Sequence, residues 1–231
     1  MDAITTQSGF DAGLIRRYDS RGPRYTSYPT ALQFTPDITP AVYARNARAS
    51  NNSGLPLSLY VHVPFCQALC YYCGCNKIVT RNVDRVNRYL EALHSEIALQ
   101  GELFDRSRPV EQLHFGGGTP TYLDTAQLAS LFDQLRSHFS FDDSPERQFS
   151  IEVDPRTVDA ARLAELRGLG FNRLSLGSQD FDARVQEAIN RIQPIDEVTD
   201  LVEQAREQGY RSISFDLIYG LPHQSPEGFN Q

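Results

Sequence analysis

The sequence predicts an α/β protein built on a parallel sheet, and three observations lead there. Five short runs of apolar, β-branched or aromatic residues are spread over residues 57–217, and an amphipathic segment follows each of the first four. The residues with chemistry to offer gather where those runs end. Strand and helix alternating this often implies parallel pairing through right-handed crossovers. Motifs at the carboxyl ends of the strands are the pattern of a TIM-like barrel, which assembles its site on that face.

The strand runs are Leu57–Val63, Val110–Phe115, Phe149–Val153, Arg173–Leu176 and Ser212–Leu217. After the first, Val86, Leu90, Leu93 and Ile97 recur at the spacing of a buried helical stripe. After the second, Thr125–Phe139 carries Leu128, Leu131, Phe132 and Leu135 on one face. Asp159–Leu169 and Asp196–Gln208 each stop before a glycine, Gly170 and Gly209, at the place where a helix end turns left-handed. A shorter helix is expected over Ala183–Asn190. Residues 1–50 lie outside the alternation, with helices expected near Leu14–Tyr18 and Pro40–Ala49 around a Pro- and Tyr-rich stretch. They read as an amino-terminal arm, and residues 51–231 as the barrel. The chain stops at Ser225-Pro-Glu-Gly-Phe-Asn-Gln231, where a helix after the fifth strand should begin. The barrel is therefore expected to be truncated after that strand, as part of a longer enzyme.

Composition excludes some classes. A net charge of −7 over 231 residues argues against nucleic acid as the main partner. No apolar run approaches the roughly 18 residues of a membrane helix, and the start has no basic n-region or apolar core of a signal peptide. Unpaired thiols without export point to the cytoplasm. A monomer is expected.

All four cysteines fall within ten residues, as Cys66, Cys70, Cys73 and Cys75, spaced C-x3-C-x2-C-x-C. Thiols used in one segment alone converge on a metal or cluster rather than on a disulfide framework. Zinc modules usually divide their ligands between two distant pairs. Three thiolates at i, i+4 and i+7 can hold three irons of a cubane and leave the fourth open, and a structural zinc loop is the bland alternative. Cys75 has no place in a three-thiolate site.

The surrounding strings carry a resemblance. Tyr60-Val-His-Val-Pro-Phe-Cys66, Cys73-Gly-Cys75-Asn76-Lys77 and Gly22-Pro-Arg-Tyr-Thr-Ser-Tyr-Pro-Thr30 are three of them. His114-Phe-Gly-Gly-Gly-Thr-Pro120, Ile151-Glu-Val-Asp-Pro155, Gln179-Asp-Phe181 and Asp216-Leu-Ile-Tyr-Gly-Leu-Pro222 complete the set. Together they resemble the oxygen-independent coproporphyrinogen III oxidases, a branch of the radical S-adenosylmethionine (SAM) enzymes. The resemblance implies a (β/α)6 three-quarter barrel, a [4Fe-4S] cluster on Cys66, Cys70 and Cys73, and two SAM molecules per turnover. It also implies oxidative decarboxylation of coproporphyrinogen III to protoporphyrinogen IX in haem biosynthesis, through a 5′-deoxyadenosyl radical, with electrons from an unidentified donor. A haem-binding or chaperone paralogue is the alternative. Cys75 with Asn76, and the Pro23–Pro29 arm, favour the oxidase.

The same resemblance assigns further residues. Gly117 is placed at one SAM, and Gly118 with Thr119 at a second; a glycine triplet after a strand is otherwise as often a tight turn. Glu152 is given a SAM contact, where a carboxylate accepts from an ammonium or from ribose hydroxyls. Glu152 and Asp154 flank Val153 and so point the same way, which also suits a salt-bridged strand end. Asp216 is expected to serve the second SAM, Gln179 to offer an amide, and Arg191 a planar fork for a carboxylate. Tyr60 and Tyr72 can cover an adenine or the cluster, or belong to the core. Arg24 is a candidate for a substrate propionate, and Lys77 lends positive charge beside the loop or is solvated. His62, His114 and His223 read as hydrogen-bonded structural residues.

Overall fold

The computed structural model describes residues 11–19 and 29–229, so Arg24 and most of the Gly22–Thr30 string lie outside the described residues. The chain divides into two compact units, Met1–Tyr43 and Ala44–Gln231. In the first, helix α1 (Ala12–Tyr18) starts where the Asp11 carboxylate accepts from the backbone N–H groups of Gly13 and Leu14. Such a cap satisfies donors that no earlier turn can reach. Helix α2 spans Pro40–Ser50.

The second unit carries a five-stranded, all-parallel sheet. Its members are β1 (Leu57–Val63), β4 (Val110–Gly117), β5 (Gln148–Val153), β6 (Arg173–Gln179) and β7 (Ser212–Leu217), adjacent in that order. Two further strands of two residues each, β2 (Phe65–Cys66) and β3 (Ile78–Val79), form a separate parallel pair. Because sheet order follows chain order, successive right-handed crossovers lay their helices on one face. This is the β/α arrangement of a partial barrel. The other face is polar from edge to edge: Tyr60 sits beside His114, His114 beside Ser150, Glu152 beside Ser175, and Ser175 beside Ser214.

The core lies between the sheet and helices α3 (Val83–Gly101), α4 (Thr125–His138), α5 (Ala160–Leu169), α6 (Ala183–Ala188) and α7 (Ile195–Glu207). The stripe Val86, Leu90, Leu93 and Ile97 is buried, as are Leu128, Leu131, Phe132 and Leu135. Phe115, from β4, packs edge-on to Phe171 at 5.3 Å and stacks on Phe132 at 5.6 Å. The helices begin at side-chain caps: Asn82 for α3, Asp159 for α5, and at α4 a capping box in which Asp124 and Gln127 each serve the other's backbone N–H. Gly170, at φ 117°, ends α5 in the left-handed region.

All five expected strands are present, and three of them extend further than the apolar runs. β4 continues through Gly116 and Gly117, and β6 through Gln179, because ladder hydrogen bonds persist where hydrophobicity has stopped. β7 pairs on one side only among the described residues, and its Phe215 and Leu217 remain exposed. Among the described residues no helix is long and apolar enough to cross a membrane.

Candidate active site

The cysteine loop leaves the end of β1 and is closed at its base by the β2–β3 pair. Ile78 N–H donates to Pro64 O at 2.7 Å and Thr80 N–H to Cys66 O at 3.2 Å, so residues 66–78 form a loop tied at both ends. His62 ties it again, with Nε2 2.9 Å from Asn76 O. A carbonyl only accepts, so that nitrogen carries a proton, and Nδ1 lies 3.0 Å from the Tyr60 hydroxyl. Within the loop, Lys77 Nζ donates to Cys73 O at 2.8 Å.

The loop forms one wall of a cavity of about 610 Å³ at the carboxyl end of the strands. Cys66, Cys70 and Cys73 all line it, and so does Cys75, the most exposed of the four. All four are free thiols. Tyr72 lines it from within the loop, and the rest of the wall includes Gly117, Gly118, Thr119, Glu152, Gln179, Arg191 and Asp216. Of the residues singled out from sequence for cluster and cofactor, only Tyr60 lies off its wall. Tyr60 sits deeper along the polar face of β1, stacked on His114 with ring centres 5.7 Å apart.

The glycine segment owes its composition first to packing. A Cβ on Gly118 would lie 2.7 Å from the backbone C and O of Pro64, and one on Gly117 2.7 Å from the His62 ring. Backbone contacts that close leave no room for a side chain. The approach lets Gly118 N–H donate to Val63 O and Thr119 N–H to Phe65 O, both at 2.8 Å, which seats the cysteine loop on β4. Thr119 Oγ1 then lies 3.7 Å from Cys66 Sγ. Burial, ahead of the other influences, pushes the Cys66 thiol pKa up.

Glu152 is fixed from two sides. Its Oε2 accepts from Gly117 N–H at 3.0 Å, and Oε1 lies 3.3 Å from His114 Nε2. A Cβ on Gly116 would lie 2.8 Å from that same Oε1. Burial works to raise the Glu152 pKa, but the His114 hydrogen bond, the Gly117 N–H and the nearby His62 outweigh it. The carboxyl group therefore sits below its ordinary value and is ionised at neutral pH. His114 Nδ1 is 2.6 Å from Ser150 Oγ, so neither His62 nor His114 has a nitrogen to spare for a metal.

Asp154 faces the same cavity but has other partners. Its carboxylate accepts from Arg156 Nε at 2.9 Å and Nη2 at 2.6 Å, and pairs with Arg191 Nη2 at 3.3 Å. Arg191 is buried; its Nη2 donates to Gly177 O at 2.6 Å and its Nη1 lies 3.6 Å from Cys70 Sγ. The carboxylate gripped by that fork here is Asp154. Gly177 makes the room, because a Cβ there would lie 3.0 Å from Arg191 Nη2. Gln179 has φ 63° at an irregularity in the β6–β7 register, an unusual backbone for a residue with a Cβ. Asp216 accepts from Ser175 Oγ at 3.2 Å. Arg156 is a charged cavity residue that sequence reasoning passed over, as it did Ser175 and Gly177; an arginine two places after an acidic residue at a strand end was the available signal.

Among the described residues, no three His, Cys, Asp or Glu side chains are gathered tightly enough to hold a single metal ion. The thiols are instead distributed along one loop facing an open volume, with nothing within 4 Å of the Cβ position at Gly74. Three free thiols and the N–H and O–H donors beside them fit a cubane cluster. The ionised Glu152 and the amide and carboxylate of Gln179 and Asp216 fit the amino and hydroxyl groups of a nucleoside-bearing amino acid.

Comparison with known proteins agrees with this geometry. Oxygen-independent coproporphyrinogen III oxidase of Pseudomonas aeruginosa is 53% identical over 220 residues, covering 95% of this chain and 48% of that protein. The Escherichia coli protein of the same name is 50% identical over 223 residues, covering 96% and 48%. The solved structure of coproporphyrinogen III oxidase from Escherichia coli, described as a radical SAM enzyme, superposes with a TM-score of 0.85 at 49% identity, over 96% of this chain and 48% of that one. The chain thus spans about half the length of the relatives it matches. The radical SAM superfamily model matches residues 60–231, from the strand before the cysteine loop through β7, and the chain belongs to that superfamily.

Proposed function

We propose that this chain supplies the cluster- and SAM-binding half of an oxygen-independent coproporphyrinogen III oxidase. The observation that carries the reading is the placing of Cys66, Cys70 and Cys73 on the wall of one cavity with Gly117, Glu152, Gln179 and Asp216. The oxidase name of relatives at 50% and 53% identity supplies the reaction class. No observation favours the haem-binding alternative.

Cys66, Cys70 and Cys73 would hold a [4Fe-4S] cluster, leaving one iron free for the amino acid end of SAM. SAM at the reduced cluster supplies a 5′-deoxyadenosyl radical able to take a hydrogen atom from a propionate side chain. The chain's own residues bind and orient. Glu152, ionised and held by His114 and Gly117, accepts from the hydroxyls or ammonium of one SAM without moving. Gly118, Thr119 and Asp216 stand ready for a second, with the Gln179 amide and the Arg191 fork that holds Asp154 beside them, and two SAM molecules match the two propionates that lose carbon dioxide. Tyr72 covers the loop and limits water. The reading includes an external electron donor, a porphyrinogen substrate, a monomer, and work in the cytoplasm, where the thiols stay reduced.

The test is anaerobic turnover by a protein containing this chain with the remaining half of its relatives' length. SAM cleavage together with protoporphyrinogen supports the reading. SAM cleavage without any decarboxylated porphyrinogen rejects it.

A further inference from the structure

Cys70 stands apart from the other two expected cluster ligands in what surrounds its sulfur. Arg191 Nη1 lies 3.6 Å away and Arg156 Nη2 4.0 Å away. Cys66 has the Thr119 hydroxyl, and Lys77 reaches the Cys73 carbonyl rather than its sulfur. Guanidinium groups face one corner of the site.

Asp154 aims them. It is 8% exposed, accepts two hydrogen bonds from the Arg156 guanidinium and a third from its backbone N–H at 3.2 Å, and also pairs with Arg191. Burial opposes its ionisation, but the Arg156 hydrogen bond and the two arginine charges hold its pKa below the ordinary value. Two guanidinium groups and one carboxylate leave one net positive charge beside a single sulfur. Without the Arg156 guanidinium, Asp154 keeps its pairing with Arg191 and its side chain still caps the short turn Pro155–Thr157 by accepting from the backbone N–H of residue 156.

We propose that Arg156, aimed by Asp154, is a positioning residue that raises the reduction potential of the cluster through its Cys70 corner. The proposal rests on the cluster reading given above. Reduction adds one electron to the cluster and its thiolates, and positive charge with N–H···S contacts stabilises the more negative state. The same contacts fix the direction of the Cys70 side chain, whose neighbours Leu69 and Tyr71 are held through backbone by Asn190 and Ile189.

The test uses the whole chain, reconstituted anaerobically, as wild type, Arg156→Gln and Arg156→Lys. Iron and sulfide are assayed first, and each protein is then titrated with dithionite while the reduced cluster is followed by electron paramagnetic resonance. The glutamine variant is expected to keep wild-type iron with a midpoint displaced to more negative potential, and the lysine variant to fall between. A glutamine variant with full iron and an unmoved midpoint overturns the proposal. Should glutamine lose the cluster, the lysine variant decides: a midpoint negative of wild type supports the role and equality overturns it. Wild type without iron rejects the cluster reading instead, before any midpoint is read.

Discussion

Glu152 and Gly117 are joined across β4 and β5 by a 3.0 Å hydrogen bond from the Gly117 N–H to Oε2. One backbone group thus holds a carboxylate in place beside the cavity and shares in keeping it ionised. A side chain oriented before its ligand arrives loses less entropy on binding.

Replacing Glu152 with Gln removes the charge while nearly preserving shape. A hydrogen bond to a charged group is worth about 1.5–3 kcal/mol, so SAM affinity should fall by roughly tenfold to a hundredfold. Equilibrium binding to the reconstituted chain measures it, with thermal melting as the control for folding. Unchanged affinity would remove Glu152 from the SAM site.

Gly118→Ala puts a methyl group 2.7 Å from Pro64 backbone, where neither side can yield. The seat of the cysteine loop on β4 should open, lowering both iron retention and stability by about 1–3 kcal/mol. Gly74→Ala meets no atom within 4 Å and should leave both unchanged. Iron assays and urea melts on the pair read the difference; equal behaviour contradicts the packing argument.

Asp154 ties stability to pH. Its folded pKa is lowered, with burial opposing and the Arg156 and Arg191 interactions prevailing. A depressed carboxylate stabilises the fold above its unfolded pKa of about 3.9, and that contribution disappears as pH falls through the folded value. Urea unfolding should therefore show stability at neutral pH that declines below about pH 4. Asp154→Asn should be less stable at pH 7 and flatter over the acid range. Parallel curves for the two proteins would show that Asp154 is not the linked group.

Phe115 is fully buried between Phe132 and Phe171. Phe115→Ala should cost about 3–5 kcal/mol, read as a fall in denaturation midpoint. A loss under about 1 kcal/mol would mean that the ring is not packed as described.

The sheet was legible because its strands are short β-branched or aromatic runs between capped helices, as Leu57–Val63 and Ser212–Leu217 show residue for residue. The β2–β3 pair was not, since two residues carry no periodicity and their pairing depends on the loop they close. The cysteines and the glycine segment were visible as local strings. What the strings hid was cause: Gly117 and Gly118 are excluded from carrying side chains by His62 and Pro64. The Asp154–Arg156–Arg191 cluster was out of reach because Arg191 meets Asp154 across 37 positions of chain, a separation that no local pattern encodes.

The most direct measurement is iron and sulfide content of the anaerobically reconstituted chain and of its four single cysteine-to-serine variants. The account predicts about four irons and four sulfides in wild type, retained in Cys75→Ser and lost when Cys66, Cys70 or Cys73 is replaced. A colourless wild-type protein holding one zinc that all four thiols are needed to keep would contradict it.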